Sequence, residues 1–118
     1  MKVELKALRE LTGLIGACLV DSDTGLVLGN EGGGGFDLDL AAAGNTEVVR
    51  AKRATMSTLK MNDKIEDILI SLQKQYHLIR LLESNDAIFL YVVLDRRLAN
   101  LALARVTMKR VERELDFR

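Results

Sequence analysis

The glycine run from Gly32 to Gly35 is the first feature of this 118-residue sequence that could do chemistry. Backbone N–H groups of a glycine-rich loop can approach a phosphate closely. A Walker-type loop also needs a lysine and a hydroxyl residue after its last glycine, to neutralise the phosphates and to hold magnesium. Phe36 and Asp37 stand there instead, and a carboxylate would repel an anion. The run therefore predicts a flexible connection between a strand and a helix, and no nucleotide site.

Three other groups of residues invite a catalytic or metal-binding interpretation. Asp23–Gly25 spells the triplet of aspartic proteases, which need two such aspartates sharing a proton, but these residue types are also typical of a hairpin turn. Cys18 and His77 are the only cysteine and the only histidine, too few for a four-ligand zinc site. Glu66 and Asp67 would point to opposite faces of a strand. We expect no catalytic residue, no metal and no cofactor, with Cys18 an inert buried side chain and His77 a packed or interface residue.

The composition restricts the class of protein further. Basic and acidic side chains balance, at 17 each, so no overall field attracts nucleic acid or an anionic membrane. Hydrophobic residues make up 48%, which indicates a globular chain. The longest apolar runs have the length of strands and are too short for membrane insertion. With a single cysteine and a charged N-terminal segment, we expect one cytoplasmic domain over residues 1–118.

The first half of the chain predicts a helix, a hairpin and a long helix. Leu5, Leu8 and Leu11 recur at helical spacing before Gly13. The segment 14–20 is apolar on both faces and predicts a buried central strand, followed by the turn "DSDTG" and the short strand "LVLG". The segment 37–61 predicts one long helix with an apolar side and a basic side. A break into two helices at its glycine is the alternative.

The second half predicts three strands and a last helix. In "KIEDILISLQK", Ile68, Ile70 and Leu72 alternate with polar residues, whereas "AIFLYVVLD" predicts a second buried central strand. The segment 96–115 predicts an amphipathic helix capped by Asp95, with these side chains facing inward: Leu98, Leu101, Met108, Val111 and Leu115. Short turns between strands indicate an antiparallel sheet, and strands apolar on both faces require helices on both sides. The predicted fold is α+β, with five strands in the order helix-strand-strand-helix-strand-strand-strand-helix.

Four stretches in this order resemble the roadblock family, the dynein-light-chain-like domains, and most of all its standalone bacterial members. They are "LTGLIGACLVDSDTGLVL", "VVRAK", "IEDILISLQKQYHLIRLL" and "DRRLANLALAR", and together they span nearly the whole chain. The resemblance implies a five-stranded antiparallel sheet with helices on both faces, and no enzymatic activity. It also implies a homodimer in which the second helix and the third strand meet their counterparts.

The same resemblance implies the partners and the residues that meet them. The expected dimer interface is Ala41, Gly44, Val48, Met56, Ile68, Ile70 and Leu72. Many members are platforms for small Ras-like GTPases, and a bacterial relative stimulates GTP hydrolysis by a GTPase that controls polarity and motility. Arg50, Arg53 and Lys60 would then receive the GTPase, although such a basic stripe is more often a solvated helix face. The alternatives are a structural adaptor in a motility or signalling assembly and, with less support, a small-ligand sensor.

Overall fold

The structure is a computed structural model that describes residues 3–117. Its elements follow the predicted order. A short 3-10 helix, Lys6–Glu10, precedes the strands β1 (Leu14–Asp21) and β2 (Leu26–Gly32). Helix α1 (Leu38–Thr58) is followed by β3 (Asp67–Ser71), β4 (Gln75–Leu81) and β5 (Ile88–Asp95), and the last helix is α2 (Leu101–Glu114). The predicted fold class is confirmed.

The five strands form one antiparallel sheet in the order β2-β1-β5-β4-β3. The two strands with apolar residues on both faces, β1 and β5, lie next to each other in its interior, because only interior strands are covered on both faces. One face packs against the 3-10 helix and α2, through Leu8 and Met108 among others. The other face packs against α1, through Ala42 and Val49. Helices therefore cover both faces, and β2 and β3 are the edges.

The glycine run is partly built into the sheet. Strand β2 continues through Glu31 to Gly32, farther than the predicted "LVLG". The N–H of Gly33 donates to the carbonyl oxygen of Ile15 at 2.8 Å. Gly33 has φ +81°, and a Cβ atom there would lie 2.8 Å from the Leu38 side chain, so no other residue fits easily. Only Gly34 and Gly35 have free space around them and fit the predicted connection.

Helix α1 is continuous through Gly44, so the alternative of two helices is wrong. The side chain of Asp37 caps its first turn by accepting from the N–H of Leu40 at 3.0 Å. At the other end, Lys60 takes a left-handed conformation with φ 57°. Its N–H donates to Ser57 O, and the N–H of Met61 donates to Met56 O, both at 3.0 Å. This is a Schellman ending with lysine where glycine is usual.

Two expectations for the last helix are wrong. Asp95 does not cap it: the cap is Asn100, whose side chain accepts from the N–H of Leu103 at 3.0 Å. Asp95 ends β5 and binds Arg97, whose guanidinium and backbone N–H both donate to its carboxylate. Leu98 lies in the turn before the helix and is 55% exposed, so it does not face inward. The chain uses residues 96–99 to turn from the sheet before α2 can begin.

Candidate interaction surface

The face of the sheet beneath α1 is covered unevenly. Helix α1 packs against β1 and β2. On the same face, Ile79 and Leu81 of β4 are buried, whereas Ile68, Ile70 and His77 remain only half-buried. Strand β3 is also an edge of the sheet, so its outer backbone N–H and C=O groups face no other strand within residues 3–117. An open edge with apolar side chains beside it tends to pair with another chain.

A groove of about 470 Å³ separates α1 from the start of β3. Three residues expected at the dimer interface line it: Val48 and Met56 from α1, and Ile68 from β3. The groove also contains residues that sequence reasoning missed, namely Lys52, Met61, Lys64, Ile65, Glu66 and Asp67. Lys52 follows Val48 by one helical turn, so helical spacing alone could have found it. We call these nine residues the α1–β3 groove.

The other expected interface residues lie outside this groove, on α1, on β3 and just past the end of β3. Ala41 is half-buried against the α1 side of the core, and Ile70 lies opposite His77 in the β3–β4 register. Leu72 lies just past the end of β3 and is 43% exposed. Leu59, next to the end of α1, is 64% exposed. Exposed apolar side chains therefore continue along β3 and beyond the C-terminal end of α1.

Gly44 lies on the exposed part of α1, and nothing in the described structure requires a glycine there. A Cβ atom at this position would have no neighbour within 4 Å. Glycine inside a helix costs about 1 kcal/mol relative to alanine. Because no neighbour among the described residues requires a glycine here, the position fits close approach by another backbone.

Two of the three basic side chains expected to bind a partner are engaged within the molecule. The Arg50 guanidinium donates to the carbonyl oxygens of Ser22 and Asp23, at 3.0 and 3.1 Å, in the β1–β2 turn. The Arg53 guanidinium donates to the carbonyl oxygen of Asp86, in the β4–β5 turn. These two arginines therefore tie α1 to two turns of the sheet. Lys60 lies past the end of α1 in the left-handed residue of its C-terminal cap.

A cluster of polar and aromatic groups occupies the same face of the sheet. His77 Nδ1 lies 2.8 Å from the Tyr91 hydroxyl, and His77 Nε2 lies 2.8 Å from Gln75 Oε1. The rings of Phe36 and Tyr91 meet the imidazole edge-on, at centroid distances of 6.1 and 5.5 Å. The expectation that His77 is packed is confirmed by these contacts. We call these four residues the His77 cluster.

Cys18 and Tyr91 are chemically quiet at neutral pH. Burial raises the pKa of the Cys18 thiol to about 12, with a smaller contribution from the charge of Asp39. Burial also raises the pKa of the Tyr91 phenol to about 12. The thiolate is the reactive form of cysteine, and the buried Cys18 thiol stays protonated at neutral pH. Among residues 3–117 no three His, Cys, Asp or Glu side chains are grouped to hold a metal.

The fold of this chain is similar to the folds of several solved structures. It superposes on the Roadblock/LC7 domain from Streptomyces avermitilis with a TM-score of 0.79 and 17% sequence identity, over 92% of this chain and 87% of that one. The chain has the roadblock fold. It also superposes on MglB from Myxococcus xanthus with a TM-score of 0.75 and 20% identity, over 92% of this chain and 82% of MglB.

A third roadblock-fold structure is the gliding protein MglB from Thermus thermophilus. Its TM-score is 0.72 and its identity 22%, over 91% of this chain and 78% of that one. A further MglB structure has a tetrameric arrangement. No family model matches the sequence, and no curated protein matches it. The roadblock resemblance inferred from four sequence stretches is thus confirmed at the level of the fold.

Within residues 3–117, neither helix combines the length and the apolar character that a membrane crossing requires.

Proposed function

We propose that this chain is a non-enzymatic homodimer that serves as a binding platform for, and regulator of, a small Ras-like GTPase. The observation that carries the proposal is the uneven cover of the sheet. Helix α1 packs over β1 and β2, while β3 is an edge strand with half-buried Ile68 and Ile70 beside it. The roadblock fold supports the same interpretation, because the sequence resemblance implies dimers formed by this helix and this strand.

The charges of the α1–β3 groove favour a second copy of the same chain as its occupant. Lys52 and Lys64 line the groove together with Glu66 and Asp67, so its basic and acidic side chains balance. In a two-fold symmetric interface the same patch meets itself, and a patch with both charge signs can be complementary to itself. The apolar side chains of Val48, Met56 and Ile68 would supply the buried centre of the interface.

The partner GTPase would supply the nucleotide and the catalytic groups. In this chain the glycine run lacks the lysine and hydroxyl of a phosphate-binding loop. An arginine inserted into a GTPase site would stabilise phosphoryl-transfer charge. Arg50 and Arg53 already bind carbonyl oxygens of two turns. We therefore infer that any stimulation of GTP hydrolysis comes from reorienting the GTPase's own residues, on a surface built from the paired α1 helices.

The structures described as MglB support a role in motility. One of them is described as a gliding protein. Another has a tetrameric arrangement, which supports self-association. For this chain we propose the same setting, a regulator of cell polarity or motility. Its surface would then serve both self-association and GTPase binding.

The dimer is tested first, by sedimentation equilibrium at micromolar concentration. Val48→Arg places a charge in the α1–β3 groove, and Ala43→Arg places the same charge at an exposed position of α1 outside it. We expect a wild-type dimer that Val48→Arg weakens at least about tenfold, or about 1.4 kcal/mol, and that Ala43→Arg leaves unchanged. A monomeric wild-type protein would contradict the homodimer.

The partner is tested by co-purification from the native cell, followed by GTP hydrolysis measured with the small Ras-like GTPase that is recovered. We expect binding that depends on whether the GTPase holds GTP or GDP, and a hydrolysis rate that rises with added protein. Binding with an unchanged rate would favour the structural adaptor over the regulator. If no small GTPase binds in either nucleotide state, the proposed platform role fails even where the dimer is confirmed.

A further inference from the structure

The His77 cluster is arranged for a neutral histidine. The Tyr91 hydroxyl faces Nδ1 of the imidazole and can donate to it, while Nε2–H can donate to Gln75 Oε1. In that arrangement both ring nitrogens have a partner of the right kind. A protonated imidazole would place a second N–H against the Tyr91 oxygen, and the hydroxyl proton would have to turn away from Nδ1. Because the phenol keeps its proton up to about pH 12, ionisation of Tyr91 cannot relieve the conflict near neutral pH.

The position of His77 connects this cluster to the proposed dimer surface. In the β3–β4 pairing His77 lies directly opposite Ile70, so the two side chains are on the same face of the sheet and next to each other. His77 is half-buried in the single chain. A second chain that covers Ile68 and Ile70 would cover more of the imidazole as well.

The groups around His77 offer little to hold a positive charge. Those in contact with the ring are Gln75 from β4, Tyr91 from β5 and Phe36 from the segment before α1, all uncharged at pH 7. From β3 it faces the apolar Ile70.

Helix α1 brings polar and charged groups to this side of the sheet, and three of them act near the cluster or the proposed interface. They are the amide of Asn45, which acts on Tyr91; Lys52 in the α1–β3 groove; and Asp39, whose charge acts on Cys18. Lys52 disfavours a second cation and Asp39 favours one, so their effects oppose each other and the uncharged groups in contact with the ring decide.

We propose that association of this chain with itself is controlled by pH through His77, and that protonation of His77 opposes the dimer. This inference rests on the homodimer of the proposed function and adds regulation of that dimer by pH. Covering the imidazole disfavours its charged form, so His77 in the dimer binds a proton less readily than in the free chain. By linkage, the dimer then weakens as the pH falls through the pKa of the free chain.

The pH range over which the dimer weakens follows from the pKa of His77 in the free chain. Burial lowers the pKa of His77 from its ordinary value of 6.5 even in the single chain. The dimer is therefore expected to be insensitive to pH above about 6.5 and to weaken below it. Two histidines titrate per dimer, one from each chain, so the dissociation constant can rise by up to about a hundredfold per pH unit where both are affected.

The test compares the wild-type chain with His77→Gln, which keeps a hydrogen-bonding side chain and cannot be protonated. Sedimentation equilibrium at about pH 7.5 and about pH 5.5 gives the two dissociation constants, and circular dichroism checks that the fold persists. We expect the wild-type dimer to weaken by about severalfold at the lower pH and the variant to change far less. An equal dissociation constant for the wild-type protein at both values of pH overturns the inference, and so does an equal weakening of both proteins.

Two further outcomes separate this inference from the proposed function. A wild-type chain that is monomeric at about pH 7.5 contradicts the homodimer itself. If His77→Gln does not fold, proton NMR of the wild-type protein decides, because its single histidine can be followed without assignment. We expect a lower pKa for His77 at concentrations where the dimer forms than at concentrations where it dissociates. The same pKa at both concentrations overturns the inference.

Discussion

Arg80 on β4 and Glu112 on α2 form an ion pair inside the protein, with Arg80 Nε 2.8 Å from Glu112 Oε1. Their side chains are 4% and 9% exposed. The second carboxylate oxygen of Glu112 accepts the backbone N–H of Glu83 at 2.8 Å. Glu66 and Glu83 also lie within 4 Å of the guanidinium. The pair therefore joins the last turns of α2 to the end of β4.

Removing Glu112 should leave Arg80 without its closest partner in a buried position. Breaking a buried pair costs about 3–5 kcal/mol, and we expect Glu112→Ala to lose about 3 kcal/mol, since Glu66 and Glu83 partly replace the charge. Urea unfolding at one fixed protein concentration measures this loss. Glu114→Ala, an exposed change on the same helix, should alter stability by less than about 0.5 kcal/mol. Similar losses for both variants would show that the buried pair contributes little.

The sequence predicted those parts of the fold that depend on local patterns of apolar residues. Strands β1 and β5 were recognisable because both of their faces are apolar, and α1 because its apolar side recurs at helical spacing. The end of β2 could not be recognised from the sequence, because glycines have no side chain that could show alternation. Gly32 and Gly33 are held by β1, through Gly16 and Ile15, which lie 16 and 18 positions earlier in the sequence.

The residues of the candidate surface were predictable only in part, because some of their contacts join residues far apart in the sequence. Val48, Met56 and Ile68 were expected from the family resemblance, and the structure places all three in the α1–β3 groove. The roles of Arg50 and Arg53 depend on turns far away in sequence, so helical spacing could place them on one stripe but could not show that they bind carbonyl oxygens.

The left-handed residue at the end of α1 is a position where a substitution should raise the free energy of unfolding. Lys60 has φ 57°, a conformation that costs a residue with a Cβ atom about 1 kcal/mol relative to glycine. We expect Lys60→Gly to stabilise the protein by about 0.5–1 kcal/mol in urea unfolding, whereas Ala54→Gly, inside the same helix and exposed, should destabilise it by about 1 kcal/mol. Loss of stability in both variants would mean that the Lys60 side chain makes a contribution larger than its backbone strain.

The buried thiol of Cys18 makes stability depend on pH in the alkaline range. Its pKa is raised from 9.0 to about 12 in the folded chain, so between these values the folded state keeps a proton that the unfolded chain has released. Stability from this group is complete below pH 9 and falls as the pH rises, by about 1.4 kcal/mol per pH unit. We expect wild-type protein to lose about 1 kcal/mol more than Cys18→Ala between pH 9 and about pH 10 in urea unfolding, because about half of the unfolded thiols are already ionised at pH 9.

The control for this prediction is chemical. A thiol reagent should not react with Cys18 in the folded protein and should react once urea unfolds it, because the folded thiol is fully buried and protonated. Parallel losses of stability in wild-type protein and Cys18→Ala would assign the alkaline effect to other groups.

A substitution at Gly44 tests whether the dimer interface includes the exposed side of α1 or consists of β3 alone. Because a Cβ atom at Gly44 has no neighbour within 4 Å, Gly44→Leu should leave the single chain folded and at least as stable, since leucine favours helix by about 0.8 kcal/mol over glycine. If another backbone approaches α1 here, the leucine side chain should hold the two chains apart and weaken the dimer at least about tenfold in sedimentation equilibrium. Ala43→Leu, at the neighbouring exposed position, should not. Equal dimer affinity for both variants would remove Gly44 from the interface and leave β3 as its centre.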